Sequence, residues 1–455
     1  MIRITDENRK WWVLAAMGGT LALIVLDETV VGVALPTIQK ELGMSQVGSH
    51  WIVNAYFLIF TVLAAAAGKM GDLFGYRRMF MGALIIFGLS SIACGFAENS
   101  AWIIIARGFQ GLGAAVIFPF TVAMITAVFP PEQRGRAFGI QTAIGGTFIS
   151  LGPLVGGFFT EVLSWRWIFW INIPLIIIIA VVVLSAWREP HKPTNEGASG
   201  FQQVDFKGLG LMIVALSTFV IAAMEGPDYG WDNPFIMAGF AVGLIAAIAF
   251  VFVETRLKNP LIELSLFSMR TFSVMNATVF MGEFGKIALI IFGALLLQDK
   301  FGMNPLIAGV ALLPAVIPSL FSSLIAGSLA DKFDARKISL MGLVLNCSAM
   351  VWMAVTVTLD NYYYLIPAFI AWGCALPFQF VSTRRAIVNS VAADKLGQSS
   401  GLTMTAQLLG GTVGMATCSA LYASTGHFAV LYLVTAAIMG IVALVGFFKM
   451  RSEFA

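Results

Sequence analysis

The sequence predicts an all-α integral membrane protein, and its composition, its apolar segments and the distribution of its basic residues each indicate this fold class. Of 455 residues, 59% are hydrophobic and only 11% are charged, with a mean hydropathy of +0.88. Water-soluble chains carry roughly a quarter charged residues, because polar groups must cover their surface. A lipid bilayer is therefore the expected solvent. The net charge of +3, with no long basic run, gives no support to nucleic-acid binding.

Fourteen apolar segments are long enough to cross a membrane as helices. Such a helix needs about 20 mostly apolar residues to span about 30 Å of hydrocarbon, where its backbone must satisfy its own polar groups. The first segment lacks a small-residue cleavage site, so we expect a retained helix rather than a cleaved signal. The predicted segments are residues 11–35, 50–67, 79–97, 101–127, 137–160, 167–187, 208–225, 235–253, 272–296, 305–327, 338–358, 362–382, 400–422 and 427–448.

The lysines and arginines predict the orientation of these segments, because cytoplasmic loops retain positive charge during insertion. If the N-terminus is inside and the segments alternate, 22 of the 27 basic residues lie on the inner side, Arg384 among them. Three lie outside, and only Arg107 and Lys286 fall within the membrane. One segment more or fewer would destroy this asymmetry. We therefore expect N- and C-termini that are both cytoplasmic, in a multi-pass protein of the cell membrane.

Two similar loops indicate an internal repeat. The loop at residues 68–78 follows the second segment, and the loop at residues 327–337 follows the tenth. Each contains an aspartate, Asp72 or Asp331, with a basic cluster five residues later. Two six-helix bundles, residues 1–187 and 272–455, explain this spacing if two central helices are inserted between them at residues 208–271. A cytoplasmic linker at residues 188–207 is predicted from Pro190, Pro193, Asn195, Gly197, Ser199 and Gly200.

Four motifs occur in order along the chain. The first is Leu26–Pro36 (LDETVVGVALP), and the second is the loop that begins at Gly68 (GKMGDLFGYRR). Arg107–Ala115 (RGFQGLGAA) lies in the fourth segment, and Gly152–Gly157 (GPLVGG) lies in the fifth. Together they resemble the motifs of the major facilitator superfamily, in its fourteen-helix drug:proton antiporter branch, and the resemblance runs from helix 1 to helix 14. The chain departs from the usual pattern at Gly32, Leu73, Tyr76 and Phe148.

The resemblance implies a secondary transporter that exports small lipophilic solutes, cationic or zwitterionic, in exchange for protons. Transporters of this kind bind solute near the bilayer midplane, between the repeats. The proton gradient would supply the energy, with no cofactor, and we expect a monomer surrounded by lipid. Candidate cavity-wall residues are Asn54, Tyr56, Gln110, Gln141, Phe284, Gln379 and Gln407, together with Glu283 and Lys286.

Ionisable groups at membrane depth are costly and usually mark function or a paired structural role. Helical rise places Asp27 and Arg107 at similar depths, so a contact between helices 1 and 4 is geometrically possible. We take Asp27 as the proton-exchanging group, with Arg107 tuning its proton affinity. Its neighbour Glu28 is the rival, because it points about 100° away on the same helix. The plain alternative is that Asp27 is a structural carboxylate satisfied by polar neighbours.

A second charged pair is predicted on helix 9. Glu283 and Lys286 are three residues apart and share one helix face, so they can pair. Such a pair holds the helix in place, or it lines the cavity and recognises a charged or zwitterionic solute. Glu283 is also a candidate for proton coupling.

The repeated loops and the helix-5 glycines predict conformational roles. We interpret the loops as latches that close the inner side; the plain alternative is that their basic residues only follow the positive-inside rule. The latch residues are Gly68, Asp72, Gly75, Arg77, Arg78, Asp331 and Arg336. In helix 5 the resemblance implies an antiporter motif, while close helix packing is the structural alternative. The motif residues are Gly152, Pro153, Gly156 and Gly157.

Other function classes find little support in the sequence. No nucleotide-binding loop, nucleophile elbow or zinc-protease motif occurs, so neither ATP-driven pumping nor hydrolytic enzyme chemistry is indicated. The four cysteines are isolated in apolar segments, which predicts no metal site. A dedicated exporter of one metabolite or lipid is the main alternative. A membrane enzyme or a channel is the alternative of another class, and uptake rather than export also stays open.

Overall fold

The computed structural model describes residues 4–189, 205–257 and 260–454. Within these ranges the chain is helical and contains no β-strand. The linker residues Pro190, Pro193, Asn195, Gly197, Ser199 and Gly200 lie outside the described residues.

The predicted apolar segments correspond to long helices, which we number α1 to α14 in chain order. Thirteen of them are long and apolar enough to cross a membrane; α13, which is rich in Gly, Ser, Thr and Gln, is not among those thirteen. The count of fourteen spans therefore stays a prediction. The bounds are α1 Arg9–Glu41, α2 Gln46–Phe74, α3 Tyr76–Gly95, α4 Ser100–Val128, α5 Arg134–Phe158, α6 Trp167–Ala186, α7 Phe206–Tyr229, α8 Pro234–Glu254, α9 Arg270–Asp299, α10 Leu313–Lys332, α11 Ala335–Thr356, α12 Ile366–Ser390, α13 Leu396–Thr425 and α14 Phe428–Phe454.

Several of these helices are interrupted or longer than predicted. A π-helical turn at Ile287–Ile291 follows Lys286 directly within α9, and α6 is interrupted at Ile171. Helix α12 extends two turns past the predicted end of its segment, to Ser390. The helix continues past Arg384, which is buried within it, whereas the predicted segment ended at residue 382. The placement of Arg384 on the inner side stays a prediction.

The helices pack as two groups that follow the predicted repeat. Helix α1 packs on α5, and α2 and α3 pack on α4; in the second group α9 packs on α13, and α10 and α11 pack on α12. The inserted helices α7 and α8 pack on each other, and α7 also contacts α2 and α13. Each group has its own apolar core. The bundle boundaries themselves stay predictions.

The two groups meet along two helix pairs, α2 with α13 and α5 with α10. Glycines allow the backbones to touch at both places. A Cβ atom on Gly68 would overlap the carbonyl of Gly397, and a Cβ on Gly327 would overlap the carbonyl of Gly135. Both contacts lie beside the repeated loops. The side of the molecule that carries these loops is therefore closed in this structure.

These backbone contacts predict the effect of a bulkier residue. Gly327→Val is expected to force α5 and α10 apart at the closed side, since overpacking of a tight contact typically costs about 1–3 kcal/mol. Spin labels at the exposed positions Glu132 and Lys332, in a cysteine-free background, would report this as longer label-to-label distances. Gly82→Val is the control, because a Cβ there meets nothing within 4 Å. Unchanged distances in Gly327→Val would show that this contact does not hold the side closed.

Candidate functional site

A buried ion pair joins α1 to α4. The Arg107 Nη1 atom donates to Asp27 Oδ2 at 2.6 Å, and both side chains are almost completely buried. The other carboxylate oxygen, Oδ1, accepts from Gln110 Nε2 at 2.8 Å and from Asn172 Nδ2 at 2.9 Å. The contact predicted from helix depth is thus present. The role of Asp27 in proton exchange stays a prediction.

Arg107 makes further contacts inside the first bundle. Its Nε donates to the Ile52 carbonyl at 2.9 Å, and its guanidinium lies 4.3 Å from the centre of the Tyr56 ring. Ser91 accepts from the amides of Gln110 and Asn172. Buried ion pairs are tolerated when hydrogen bonds satisfy the remaining polar atoms. In this polar network, enclosed by α1, α2, α3, α4 and α6, both carboxylate oxygens of Asp27 accept hydrogen bonds, while the Asn172 Oδ1 and Tyr56 hydroxyl atoms have no partner among the described residues.

Glu28 faces a different environment from Asp27. It is partly exposed, and it interacts electrostatically with Glu283 and Lys286 of α9. Glu283 forms the predicted ion pair with Lys286, and its second oxygen accepts from Gln407 Nε2 of α13 at 3.0 Å. We call Glu28, Glu283, Lys286 and Gln407 the interbundle cluster. Its α9 and α13 members lie where these two helices pack together, and Glu28 of α1 lies within electrostatic range of them.

A cavity borders this cluster and shares Gln407 with it. Its walls come from α4 of the first bundle and from α12 and α13 of the second. One wall is apolar, and the opposite wall carries Arg384, Ser400 and Thr403. The lining residues are Phe118, Pro119, Val122, Arg384, Ile387, Val388, Ser400, Thr403, Met404 and Gln407.

Most of the other predicted wall residues are enclosed within one bundle. Gln379 donates to the Thr278 carbonyl at 2.5 Å and accepts from Asn346, and Gln141 lies against the Met17 carbonyl. Both side chains are fully buried and directed to these partners within their own bundle, so they do not line the cavity. Tyr56, Gln110 and Phe284 are buried inside their own bundles in the same way, and Asn54 is partly exposed on α2.

The aspartates of the repeated loops bind helix N-termini of the opposite bundle. Asp72 accepts from the backbone N–H groups of Gly397 and Gln398, at 3.0 and 2.8 Å, where α13 begins. Asp331 accepts from the N–H groups of Gly135 and Arg136, both at 2.8 Å, where α5 begins. Carboxylates are favoured at helix N-termini, where free N–H groups and the helix dipole attract negative charge. The two latches therefore cross the interface symmetrically.

Asp331 has a described ion-pair partner outside its own loop. Asp331 pairs with Arg385 of α12, at 2.8 Å, and Arg336 pairs with Asp334 of its own loop. The side chains of Arg77 and Arg78 are exposed. Tyr76, which replaces a usual basic residue, donates its hydroxyl to Asp72, and Gly75 adopts a positive φ of 90° at the end of α2.

The helix-5 glycines bring α5 against α1 beside the helix-1 acids. A Cβ on Gly152 would overlap the Thr29 side chain, and a Cβ on Gly156 would lie 3.0 Å from the Val30 carbonyl. Gly157 has open space around its Cβ position, and Pro153 is exposed within the helix. Close packing thus accounts for two of the three glycines. Their role in antiport stays a prediction.

Sequence reasoning missed four polar groups that the structure places at these sites. Asn172 completes the network around Asp27, and Arg384, Ser400 and Thr403 form the polar wall of the cavity. An asparagine at the start of an apolar helix was a usable signal for Asn172. The position of Arg384 in the cavity wall was overlooked, because two adjacent arginines after an apolar segment resemble the start of a basic loop.

Comparisons with known proteins agree with this architecture. The family model described as Major Facilitator Superfamily matches residues 17–282 and 266–454. The chain is 31% identical over 416 residues to the puromycin resistance protein pur8 of Streptomyces alboniger, covering 90% of this chain and 81% of that protein. It is 31% identical over 392 residues to the multidrug transporter protein MdtP of Bacillus subtilis, covering 86% and 71%. The crystal structure of the human organic anion transporter MFSD10 shares the fold, with a TM-score of 0.70 at 13% identity over 98% of this chain and 100% of that one.

The buried network predicts that replacing Arg107 destabilises the protein more than replacing the partly exposed Arg166. Arg107→Gln leaves Asp27 without its counter-charge, so we expect the free energy of unfolding to fall by about 3–5 kcal/mol. Arg166→Gln, which breaks a partly exposed pair with Glu41, should cost about 1 kcal/mol or less. Denaturant unfolding in detergent micelles measures both. The double variant Asp27→Leu/Arg107→Met should recover most of the loss, and equal effects of the two single variants would contradict this account.

Proposed function

Because the chain belongs to the Major Facilitator Superfamily, we propose that this multi-pass membrane transporter exports lipophilic small molecules in exchange for protons, by alternating access. The relatives named for puromycin and multidrug resistance support export as the direction of transport. The proposal is carried by the interbundle cluster, in which the partly exposed Glu28 of one bundle lies within electrostatic range of the Glu283–Lys286 ion pair of the other. In this proposal the proton gradient is the energy source, and no cofactor takes part.

Glu28 is the proposed proton-exchanging group, in place of the Asp27 assignment made from sequence. Asp27 has three donors and no access to the interface, so exchange there would require the whole network to open. Glu28 is partly exposed and meets the charges of the opposite bundle. Protonation of Glu28 removes its attraction to Lys286 and its repulsion from Glu283. Movement of α9 relative to α1 would thereby become sensitive to the proton.

Alternating access requires the closed side to open, and this opening must break the hydrogen bonds of the two loop aspartates. Opening separates Asp72 from the start of α13 and Asp331 from the start of α5. We propose that this side is cytoplasmic, with fourteen spans and both termini on it. The structure would then represent the inner-closed state of the cycle.

The proposed solutes are lipophilic and zwitterionic, since the cavity region combines apolar walls with charges of both signs. A dedicated exporter of one such metabolite is the second candidate. Both candidates use the same site, and a panel of unrelated solutes distinguishes them.

The two helix-1 acids can be separated by matched variants in proteoliposomes with an imposed pH gradient. Glu28→Gln should abolish gradient-driven transport of a solute from a panel of lipophilic cations, anions and zwitterions, while leaving solute binding measurable. Asp27→Asn should keep gradient-driven transport at a reduced rate, because a neutral amide can retain part of the network around Arg107. The reverse pattern would return the role to Asp27. Solute flux that ignores the gradient in the unmodified protein would refute proton coupling altogether.

The pair on α9 can be tested for a structural role against a role in recognition. Glu283→Gln/Lys286→Met removes both charges of the pair at once, so neither partner is left as an unpaired ion. If the pair recognises solute, the double variant should express normally and change its preference among cations, anions and zwitterions by about tenfold, the effect of one charged hydrogen bond. A purely structural pair would instead lower thermal stability and leave the order of preference unchanged.

A further inference from the structure

Arg384 is a buried cation that the proposed mechanism does not use. Its residue is 8% exposed, and within the described part of the chain it forms no hydrogen bond or ion pair. The other deeply placed arginine, Arg107, has a carboxylate partner, and so has the adjacent Arg385. A guanidinium carries five N–H donors, and burying them without acceptors is costly. The side chain therefore needs an acceptor that the described residues do not supply.

Two unpartnered hydroxyls stand beside this guanidinium in the same cavity. Ser400 and Thr403 are 5% and 8% exposed, and neither hydroxyl oxygen has a hydrogen-bond partner in the described residues. Both residues line the cavity with Arg384, and Gln407 lies one helical turn further along α13. Residues spaced by three or four share one helix face. The polar wall is thus a set of potential donors arranged around one buried positive charge.

The surrounding charges leave this positive charge open for a ligand. The nearest acidic influence is Glu283, which acts on Arg384 electrostatically. Glu283 is itself engaged by Lys286 and Gln407. The facing wall, from Phe118, Pro119 and Val122, is apolar.

We infer that the cavity bounded by Arg384, Ser400 and Thr403 is a subsite for an anionic group of the transported solute, such as a carboxylate. A carboxylate can accept two parallel N–H bonds from one guanidinium, which gives orientation as well as affinity. The hydroxyls would donate to the same group, and the apolar body of the solute would lie against α4. This inference rests on the proposed function, since it specifies the solute class of the same transport pathway. Of the cationic and zwitterionic solutes expected from the sequence, it favours the zwitterionic ones.

Binding to the purified full-length protein in lipid nanodiscs tests the subsite without requiring transport. The probes are 1-pyrenebutyrate, its methyl ester and a pyrenebutyl trimethylammonium salt, measured by isothermal titration against empty nanodiscs. The unmodified protein should bind the acid more tightly than the ester. Arg384→Gln should weaken binding of the acid by about tenfold to a hundredfold, the range for a charged hydrogen-bonding group. The affinity for the ester should change by less than about twofold. Arg256→Gln, an exposed arginine, is the matched control and should alter neither.

A second variant keeps the test decisive if Arg384→Gln does not fold. Ser400→Ala/Thr403→Val retains the guanidinium and removes both hydroxyls. Binding of the acid should therefore weaken by a few fold, while binding of the ester is unchanged. Equal binding of all three probes by the unmodified protein would overturn the subsite, as would an equal loss for acid and ester in a variant with normal thermal unfolding. Proton coupling is judged separately, by gradient-driven transport in proteoliposomes. The subsite can therefore fail while proton-driven export stands, and the converse also holds.

Discussion

A charge inside this protein must either find a partner within its own bundle or face the interface between bundles, because hydrocarbon supplies no partner. The Asp27–Arg107 pair follows the first course, with every strong contact inside the first bundle. Glu28 and Arg384 follow the second, and both lie where the two bundles meet. A charge satisfied within one bundle can stay fixed while the bundles move. A charge at the interface changes its surroundings with each movement, and this makes it available for coupling.

The repeat explains why one side of the molecule closes in the way it does. Each loop contributes a glycine that lets two backbones touch. Four residues after that glycine, each loop has an aspartate that binds the N-terminus of a helix in the other bundle. The two contacts are equivalent but join different helix pairs, α2 with α13 and α5 with α10. In each contact the donors are backbone N–H groups and the acceptor is a short aspartate side chain, so no long flexible side chain is needed. Closure is therefore set by backbone geometry, and a small separation of the bundles breaks several bonds at once.

Much of this arrangement could be predicted from the sequence, and the limits have a physical cause. Segment length and hydropathy located the helices, and the rise per residue placed Asp27 and Arg107 at matching depth. The sequence does not show which way a side chain points around its helix, so Gln110 and Gln379 were assigned to a cavity that they do not reach. The end of the twelfth segment was predicted too early for a related reason. Hydropathy falls at an arginine whether the helix ends there or continues, as α12 does to Ser390.

If Glu28 exchanges the proton, as proposed, the positions of the charges restrict which solutes can be exchanged for it. Antiport requires that solute and proton oppose each other's binding, and linkage makes this opposition reciprocal. A solute with only an anionic group, held at Arg384, would be favoured by a proton on Glu28, because protonation removes a nearby negative charge. A solute with only a cationic group would compete with the proton at Glu28 but would be repelled by Arg384. A zwitterion resolves the conflict if its cationic end reaches Glu28 while its anionic end occupies the Arg384 subsite. Proton exchange at Glu28 and solute recognition at Arg384 would then not cancel each other.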